Sequence, residues 1–373
     1  MYFSKILLIS SHSDSDKYSG PVYIINGTIN SLNRLNAKNF EILNIRADNS
    51  SFNLKELSRK DMLRSFLCSF FLTKEEKIFL KYLRLYSSKF DFIIWFGSAY
   101  DPLTFNFRKY VDLKKLIFHV SDSILLFEKS RLNSKSLFKE IIAKKIEKKF
   151  LKSCFNKVIY VSKLDYELAL TLTNSDNKKV VELLPIGVDI DYFKRVSNYN
   201  YNTKNVTLLF SGLLNYLPNI DSAIYIIKKI IPLLEINFEF RIVGKYPPKL
   251  LYELQKLDDR IVIVGEVDDI RNELEKADIF LCPMLSGSGI KIKILQAMAY
   301  GIPVITNKIG IEGFIVKPKC LVAFESASEI SAFINNIDLE VIYRNSDESR
   351  KLIESDWSWI ARTKLFLKII GEY

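Results

Sequence analysis

The segment Cys282-Pro-Met-Leu-Ser-Gly-Ser-Gly-Ile-Lys-Ile-Lys-Ile-Leu-Gln-Ala-Met-Ala-Tyr-Gly301 has residue types suited to holding an anion. An apolar run from Asp278 to Cys282 reads as a strand closed by Pro283, a Gly/Ser loop spans Ser286 to Gly289, and a helix follows whose core face is Ile290, Ile294, Leu295 and Met298. Glycines let the backbone approach a ligand, and first-turn amides with the helix dipole present positive potential, so a phosphate would sit here. Lys291 and Lys293 flank that end, where lysines oppose the dipole and gain nothing from it. They read either as cations for the anion or as solvated surface lysines. The two histidines are His12 and His119. His119 closes Leu116-Ile-Phe-His119 at the carboxyl end of a strand and leads into Asp122, where a doubly wound sheet holds its ligands. A hydrogen-bonded structural histidine and a helix N-cap are the alternative readings of this pair. Four cysteines lie far apart with no C-x-x-C pair, so neither a disulfide framework nor a zinc site is indicated, and no metal site is expected.

Gly287 to Thr306, with Gly310-Ile-Glu-Gly313 after it, closely resembles the nucleotide-sugar signature of GT-B glycosyltransferases of the family-4 type. Phe210-Ser-Gly-Leu-Leu-Asn-Tyr-Leu-Pro-Asn219, Ile231-Pro-Leu-Leu234, Val243-Gly244, Val161-Ser162 and Leu184-Pro-Ile-Gly-Val-Asp189 with Phe193 agree in order and spacing. The resemblance implies transfer of a sugar from a UDP- or GDP-linked donor, with retention of configuration and with neither metal nor cofactor. Charge on the departing diphosphate then falls to amides and fixed cations. On the family pattern, Gly289, Ile290, Lys291 and Ile292 would offer backbone donors, and Lys293, or else Lys291, the cation. Gly212 would form the first turn of the donor domain, and Gly20 the glycine turn facing the diphosphate from the first domain. His119 would contact the donor sugar or orient the acceptor, and Asp122 is placed to bind an acceptor hydroxyl.

Two glutamates eight positions apart are usual in the family, and the matching positions here hold Ser288 and Gln296. Gln296 can still hydrogen-bond ribose hydroxyls without offering charge, whereas Ser288 is a short neutral substitute. The family's basic pair in the first loop of the donor domain is also missing between Gly212 and Asn219, and Lys245, just after Gly244, could stand in by position. Asp14-Ser-Asp16 matches the D-x-D metal motif only superficially, because that motif belongs to the other glycosyltransferase architecture.

The elements that would carry these residues alternate short apolar runs with amphipathic stretches, the pattern of parallel β-α units. In the second half the runs are Val206–Phe210, Phe240–Val243, Ile261–Val264, Asp278–Cys282 and Pro303–Thr306; in the first they are Ile6–Ile9, Phe40–Asn44, Phe92–Phe96, Lys115–Phe118 and Val158–Val161. The expected fold is therefore α/β, a GT-B arrangement of two Rossmann-like doubly wound domains facing a cleft. The N-terminal acceptor domain would span 1–196 and the C-terminal donor domain 204–355. A terminal helix, 356–373, would cross back to the first domain.

At 373 residues, 48% hydrophobic and 13% aromatic, the chain can build two cores and is not disordered. No apolar run approaches the ~20 residues needed to span a bilayer, and the opening Lys5–Ser10 is too brief for a signal peptide, which predicts a cytoplasmic protein. The net charge of +11 is confined to the first half, where residues 1–190 hold 31 Lys+Arg against 20 Asp+Glu. With no nucleic-acid motif present, that excess fits an anionic membrane surface or acceptor better than DNA. Leu57 to Leu85 interleaves basic residues such as Arg64 and Lys77 with aromatics such as Phe70 and Tyr82, and reads either as a lipid-touching surface or as a pair of core helices. The amphipathic stretch Lys135–Lys152 reads as a helix packed on the sheet with a solvated basic face.

Together these features point to a retaining transferase at the inner face of the plasma membrane, acting on a lipid-linked saccharide or a lipopolysaccharide or capsule acceptor. The loss of both family glutamates also fits a non-catalytic GT-B subunit that partners another glycosyltransferase.

Overall fold

The computed structural model describes residues 4–10, 20–35, 39–44, 72–97, 101, 103–120, 123–126, 137–153, 156–173, 180–195, 205–287, 289–314 and 318–371. The chain divides into two compact units, one formed by Met1–Gly187 with Trp359–Tyr373 and the other by Val188–Ser358. The boundary expected in the polar stretch 197–204 falls earlier, because 188–195 is tied to the second unit. Arg350 donates to the carbonyls of Ile190 and Phe193, and Tyr192 donates to Asp269.

In the first unit β1 (Ile6–Ser10), α1 (Gly20–Arg34), β2 (Phe40–Asn44), α2 (Lys74–Tyr86), β3 (Phe92–Phe96), β4 (Leu116–Val120), α3 (Leu137–Leu151), β5 (Lys157–Tyr160), α4 (Lys163–Leu172) and β6 (Val181–Leu183) follow one another. Their strands form a parallel sheet in the order β2-β1-β3-β4-β5-β6. Every residue of β1 and β4 is buried, as expected of strands covered on both faces. On one face Phe79, Leu80 and Leu83 of α2 and Ala143, Ile146 and Phe150 of α3 enter one core with Trp95 and Phe118. Aromatic edges order that core: Trp95 meets Phe107 at 4.6 Å, and Phe118 meets Phe150 at 5.3 Å. α2 starts on a capping box in which Thr73 Oγ1 accepts from the Glu76 amide and Glu76 Oε2 from the Thr73 amide.

The second unit runs β7 (Val206–Ser211), α5 (Leu217–Tyr225), β8 (Phe238–Val243), α6 (Lys249–Gln255), β9 (Ile261–Gly265), α7 (Arg271–Lys276), β10 (Ile279–Leu281), α8 (Ile292–Tyr300), β11 (Val304–Asn307), β12 (Leu321–Phe324), α9 (Ala327–Asn335) and α10 (Leu339–Leu352). Its sheet is also parallel, ordered β12-β11-β10-β7-β8-β9, which puts the strand-order reversal at β7 and β10. Ligands of such sheets gather outside the carboxyl ends of the strands near that reversal.

The last helix, α11 (Trp359–Ile370), belongs to the first unit. Its Trp359 indole lies in a notch made by two glycines: a Cβ on Gly27 would sit 1.9 Å from Cε2 of the ring, and one on Gly187 2.7 Å from Cε3. The chain passes between the units at adjoining points, where Val188 pairs with Ser358 and its amide donates to the Trp357 carbonyl at 2.8 Å. Among the described residues no helix is long and apolar enough to cross a membrane.

Candidate active site

The loop after β10 turns on two glycines. Gly287 and Gly289 adopt φ of 99° and 74°, the left-handed region that β-carbon-bearing residues avoid. Asn307, at the end of β11, braces its start: Oδ1 accepts from the Met284 and Gly310 amides, and Nδ2 donates to the Met284 carbonyl at 2.7 Å. Helical bonding begins with the Lys291 carbonyl, which accepts from Ile294 and Leu295, so the amides of Ile292 and Lys293 fall at the open end of α8. Gly301, at φ 88°, ends the helix.

The two lysines have separate tasks. Lys291 is buried and turns back on its own loop, donating to the Gly287 and Gly289 carbonyls at 3.2 and 2.7 Å. Lys293 reaches across to the strand beside it. Its Nζ donates to Asn219 Oδ1 at 2.6 Å and lies 4.4 Å from the centre of the Phe210 ring. Burial of the ammonium pushes its pKa down.

Asn219 in turn donates to the Leu213 carbonyl at 2.9 Å, joining Lys293 to the turn after β7. A Cβ on Gly212 would meet Asn219 Nδ2 at 2.7 Å and the Lys293 amine at 3.1 Å, and one on Gly244 would fall 1.8 Å from the Gly212 carbonyl oxygen. Gly212, Gly244 and Lys293 are therefore brought together where the sequence analysis expected them, at the carboxyl ends of β7, β8 and β10. Lys245 lies at the end of β8 and is ion-paired with Glu266, so part of its charge is already committed. Gln296 is half-buried on α8, one turn beyond Lys293. Ser288 and Asp122 lie outside the described residues.

Two residues of this site escaped the sequence analysis as separate functional groups. Asn219 closed a quoted run but carried no assigned role. Glu312 lies inside Gly310-Ile-Glu-Gly313; burial pushes its carboxyl pKa up while the charge of Lys291 pulls it down. A Cβ on Gly313 would touch Ile290 Cγ1 at 2.7 Å, which places the Glu312 turn directly against the glycine loop.

In the first unit Gly20 opens α1, and His119, the penultimate residue of β4, is almost fully buried and stacked on Phe96 at 4.9 Å. Burial lowers its pKa to about 4, so at neutral pH it is an uncharged imidazole, able to hydrogen-bond but not to supply a cation. With Ile24, Thr28, Pro185, Trp359 and Arg362 it lines a small cavity beside α11.

Ser123 and the short helical segment after it are clamped by two buried carboxylates. Glu147 accepts from Ser123 Oγ, the Leu125 amide and the Tyr160 hydroxyl at 2.8, 3.0 and 3.1 Å, and Asp165 accepts from the Ser123 amide at 2.9 Å. Burial raises the Glu147 pKa despite these three donors. The native state thus binds this proton more readily than the unfolded chain does, so stability falls as pH rises from the ordinary glutamate range through the raised value. Glu147→Gln should flatten that decline in a series of thermal melts from pH 4 to pH 9. An unchanged slope would remove Glu147 from the account.

Residues 205–337 match the family model described as glycosyl transferases group 1. An uncharacterized 44.6 kDa protein in the cps region of Klebsiella pneumoniae is 24% identical over 220 residues, covering 54% of this chain and 54% of its own. The UDP-Gal:alpha-D-GlcNAc-diphosphoundecaprenol alpha-1,3-galactosyltransferase of Escherichia coli is 26% identical over 204 residues, covering 50% and 51%. The chain spans about half the length of these curated relatives. A solved structure of sucrose-phosphate synthase from Thermosynechococcus elongatus superposes with a TM-score of 0.72, at 17% identity over 98% of both chains. The fold is GT-B, two parallel six-stranded α/β units. The match to the glycosyl transferases group 1 model falls wholly within the second unit.

Proposed function

We propose that this protein is a retaining glycosyltransferase that moves a sugar from a nucleotide diphosphate donor to a lipid-linked saccharide or a lipopolysaccharide or capsule acceptor at the inner face of the plasma membrane. The placement of Lys293 carries the reading. An ammonium held by Asn219 and the Phe210 ring beside the Gly212 turn, next to a glycine loop and the open end of a helix, suits a diphosphate. The donor named for the Escherichia coli relative, UDP-Gal, and its diphosphoundecaprenol-linked acceptor support the same substrate classes.

As the bond between the anomeric carbon and the diphosphate breaks, negative charge grows on the leaving oxygen, and Lys293 with the amides of Gly289 to Ile292 stabilises it without a metal. The acceptor hydroxyl forms its bond to the anomeric carbon from the same side and passes its proton to a departing phosphate oxygen, so no protein base is required. His119, neutral at physiological pH, serves by hydrogen bonding, and Lys291 keeps the loop in shape.

Gln296, where the family usually has glutamate, favours a second reading, a non-catalytic subunit partnering another glycosyltransferase. One experiment separates the two. Thermal melts of the purified protein against UDP-, GDP-, ADP- and dTDP-sugars without added metal should show selective stabilisation, approaching about 2.7 kcal/mol at a hundredfold excess over Kd. Silence across the panel, with and without acceptor lipid, would favour the non-catalytic subunit.

A further inference from the structure

We propose that the outer face of α2, with the exposed lysines of α3, is a docking surface for an anionic lipid bilayer. This rests on the membrane-acceptor reading above and locates its contact face. α2 is apolar on two sides. Phe79, Leu80 and Leu83 enter the core, whereas Ile78, Tyr82 and Leu85, spaced i, i+4 and i+7, share the opposite side and are 52%, 38% and 79% exposed. One stripe packs the helix into the core; on the second, Tyr82 stacks on Tyr86 at 5.0 Å while Ile78 and Leu85 remain exposed.

Lys77, Lys81 and Arg84 run along one edge of that stripe and are exposed. α3, packed into the same core, repeats the arrangement: Ile141 is 51% exposed, with Lys144, Lys145 and Lys148 around it at i+3, i+4 and i+7. Of the acids of α3, Glu147 is buried and Glu140 lies one turn before Lys144, so Lys145 and Lys148 have no acid at i±3 or i±4 on their own helix. Apolar side chains ringed by cations match an interface where acyl chains lie beneath anionic headgroups. A polynucleotide would reward the lysines but leave Ile78 and Leu85 in water.

The test is co-sedimentation of the full chain with vesicles of phosphatidylglycerol and phosphatidylcholine, against phosphatidylcholine alone, at low and high salt. The protein should bind the anionic vesicles, release at high salt and ignore the neutral ones. Ile78→Ser/Tyr82→Ser/Leu85→Ser should weaken binding at least about ten-fold, and Lys77→Gln/Lys81→Gln should weaken it and reduce its salt dependence. Leu85→Ser alone, at the most exposed position, reports the loss should the triple variant fold poorly. Wild-type binding that does not distinguish the two vesicles, or serine variants that sediment like wild type, would overturn the proposal. So would binding to duplex DNA that displaces vesicles and survives the serine substitutions. Donor melts on the same preparations keep the two readings apart: vesicle binding without a donor response leaves the docking face standing and sinks the transferase, and the reverse result does the opposite.

Discussion

Replacing Lys293 with methionine is expected to abolish donor-induced stabilisation and to lower kcat by a factor on the order of 10² to 10³, while the ligand-free protein stays within about 1 kcal/mol of wild type. The reason is the burial of the ammonium. Folding strips its water, and the Asn219 hydrogen bond and Phe210 ring only offset that cost, so an apolar side chain of similar length loses little in the empty site. A bound diphosphate changes the balance, because its charge compensates the ammonium fully. The sign has a second consequence. With the native pKa held below 10.5, the unfolded chain binds this proton more readily, so wild-type stability relative to Lys293→Met should rise as pH climbs toward 10.5. Melts with and without donor at pH 7 and pH 9.5, beside transferase rates, measure all three effects. A methionine variant that keeps its donor shift and turns over within threefold of wild type would remove Lys293 from the chemistry.

A second large effect is expected at the seam between α1 and α11. Glycine inside a helix normally costs about 1 kcal/mol against alanine. Gly27→Ala should nevertheless destabilise the first unit by about 3 kcal/mol, because the new methyl would lie 1.9 Å from the Trp359 indole, which is pinned between Gly27 and Gly187 and ringed by Tyr23 at 5.5 Å. Trp359→Ala should cost about 3 to 5 kcal/mol by emptying the notch. In that background Gly27→Ala should change sign and stabilise by about 1 kcal/mol, since nothing opposes the methyl and helix propensity favours it. Calorimetry on the four proteins of this cycle gives the answer, and purely additive costs would mean that the notch is not the cause.

How far the sequence reached can be traced element by element. The long apolar runs, such as Val206–Phe210 and Phe92–Phe96, are strands within a residue or two, because burial on both faces writes itself as uninterrupted apolar sequence. β6 and β12 went unseen, being three- and four-residue edge strands with half-exposed side chains. Past Tyr225 the helix α5 relaxes into a π turn over Ile226–Ile230 and a 3₁₀ turn over Ile231–Leu233, a change of pitch that apolar spacing does not report. The unit boundary was misplaced because polar composition marks exposure, whereas the true division follows the hydrogen bonds of Arg350 and Tyr192. Trp357 and Trp359 were expected in one terminal helix, yet the extended Ser358 between them sends Trp357 to Phe314 in the second unit and Trp359 to Gly27 in the first. At the site, the glycine loop and its two flanking lysines were legible from residue type and spacing, and the preference for Lys293 came from the family resemblance. The partner that aims Lys293, Asn219, lies 74 positions away, and only the folded chain brings the two together.

That same crossing sets the order in which the molecule is finished during its synthesis. The second unit is inserted between two parts of the first, so all of its residues have been made once Ser358 has been added. The first unit is begun first but still lacks Trp359 at that moment, and the notch at Gly27 and Gly187 stays empty until Trp359 and the rest of α11 have been made. The unit begun earlier is therefore completed after the unit begun later, and a ribosome that stalls between Ser358 and Ile370 leaves a complete second unit attached to an unfinished first one.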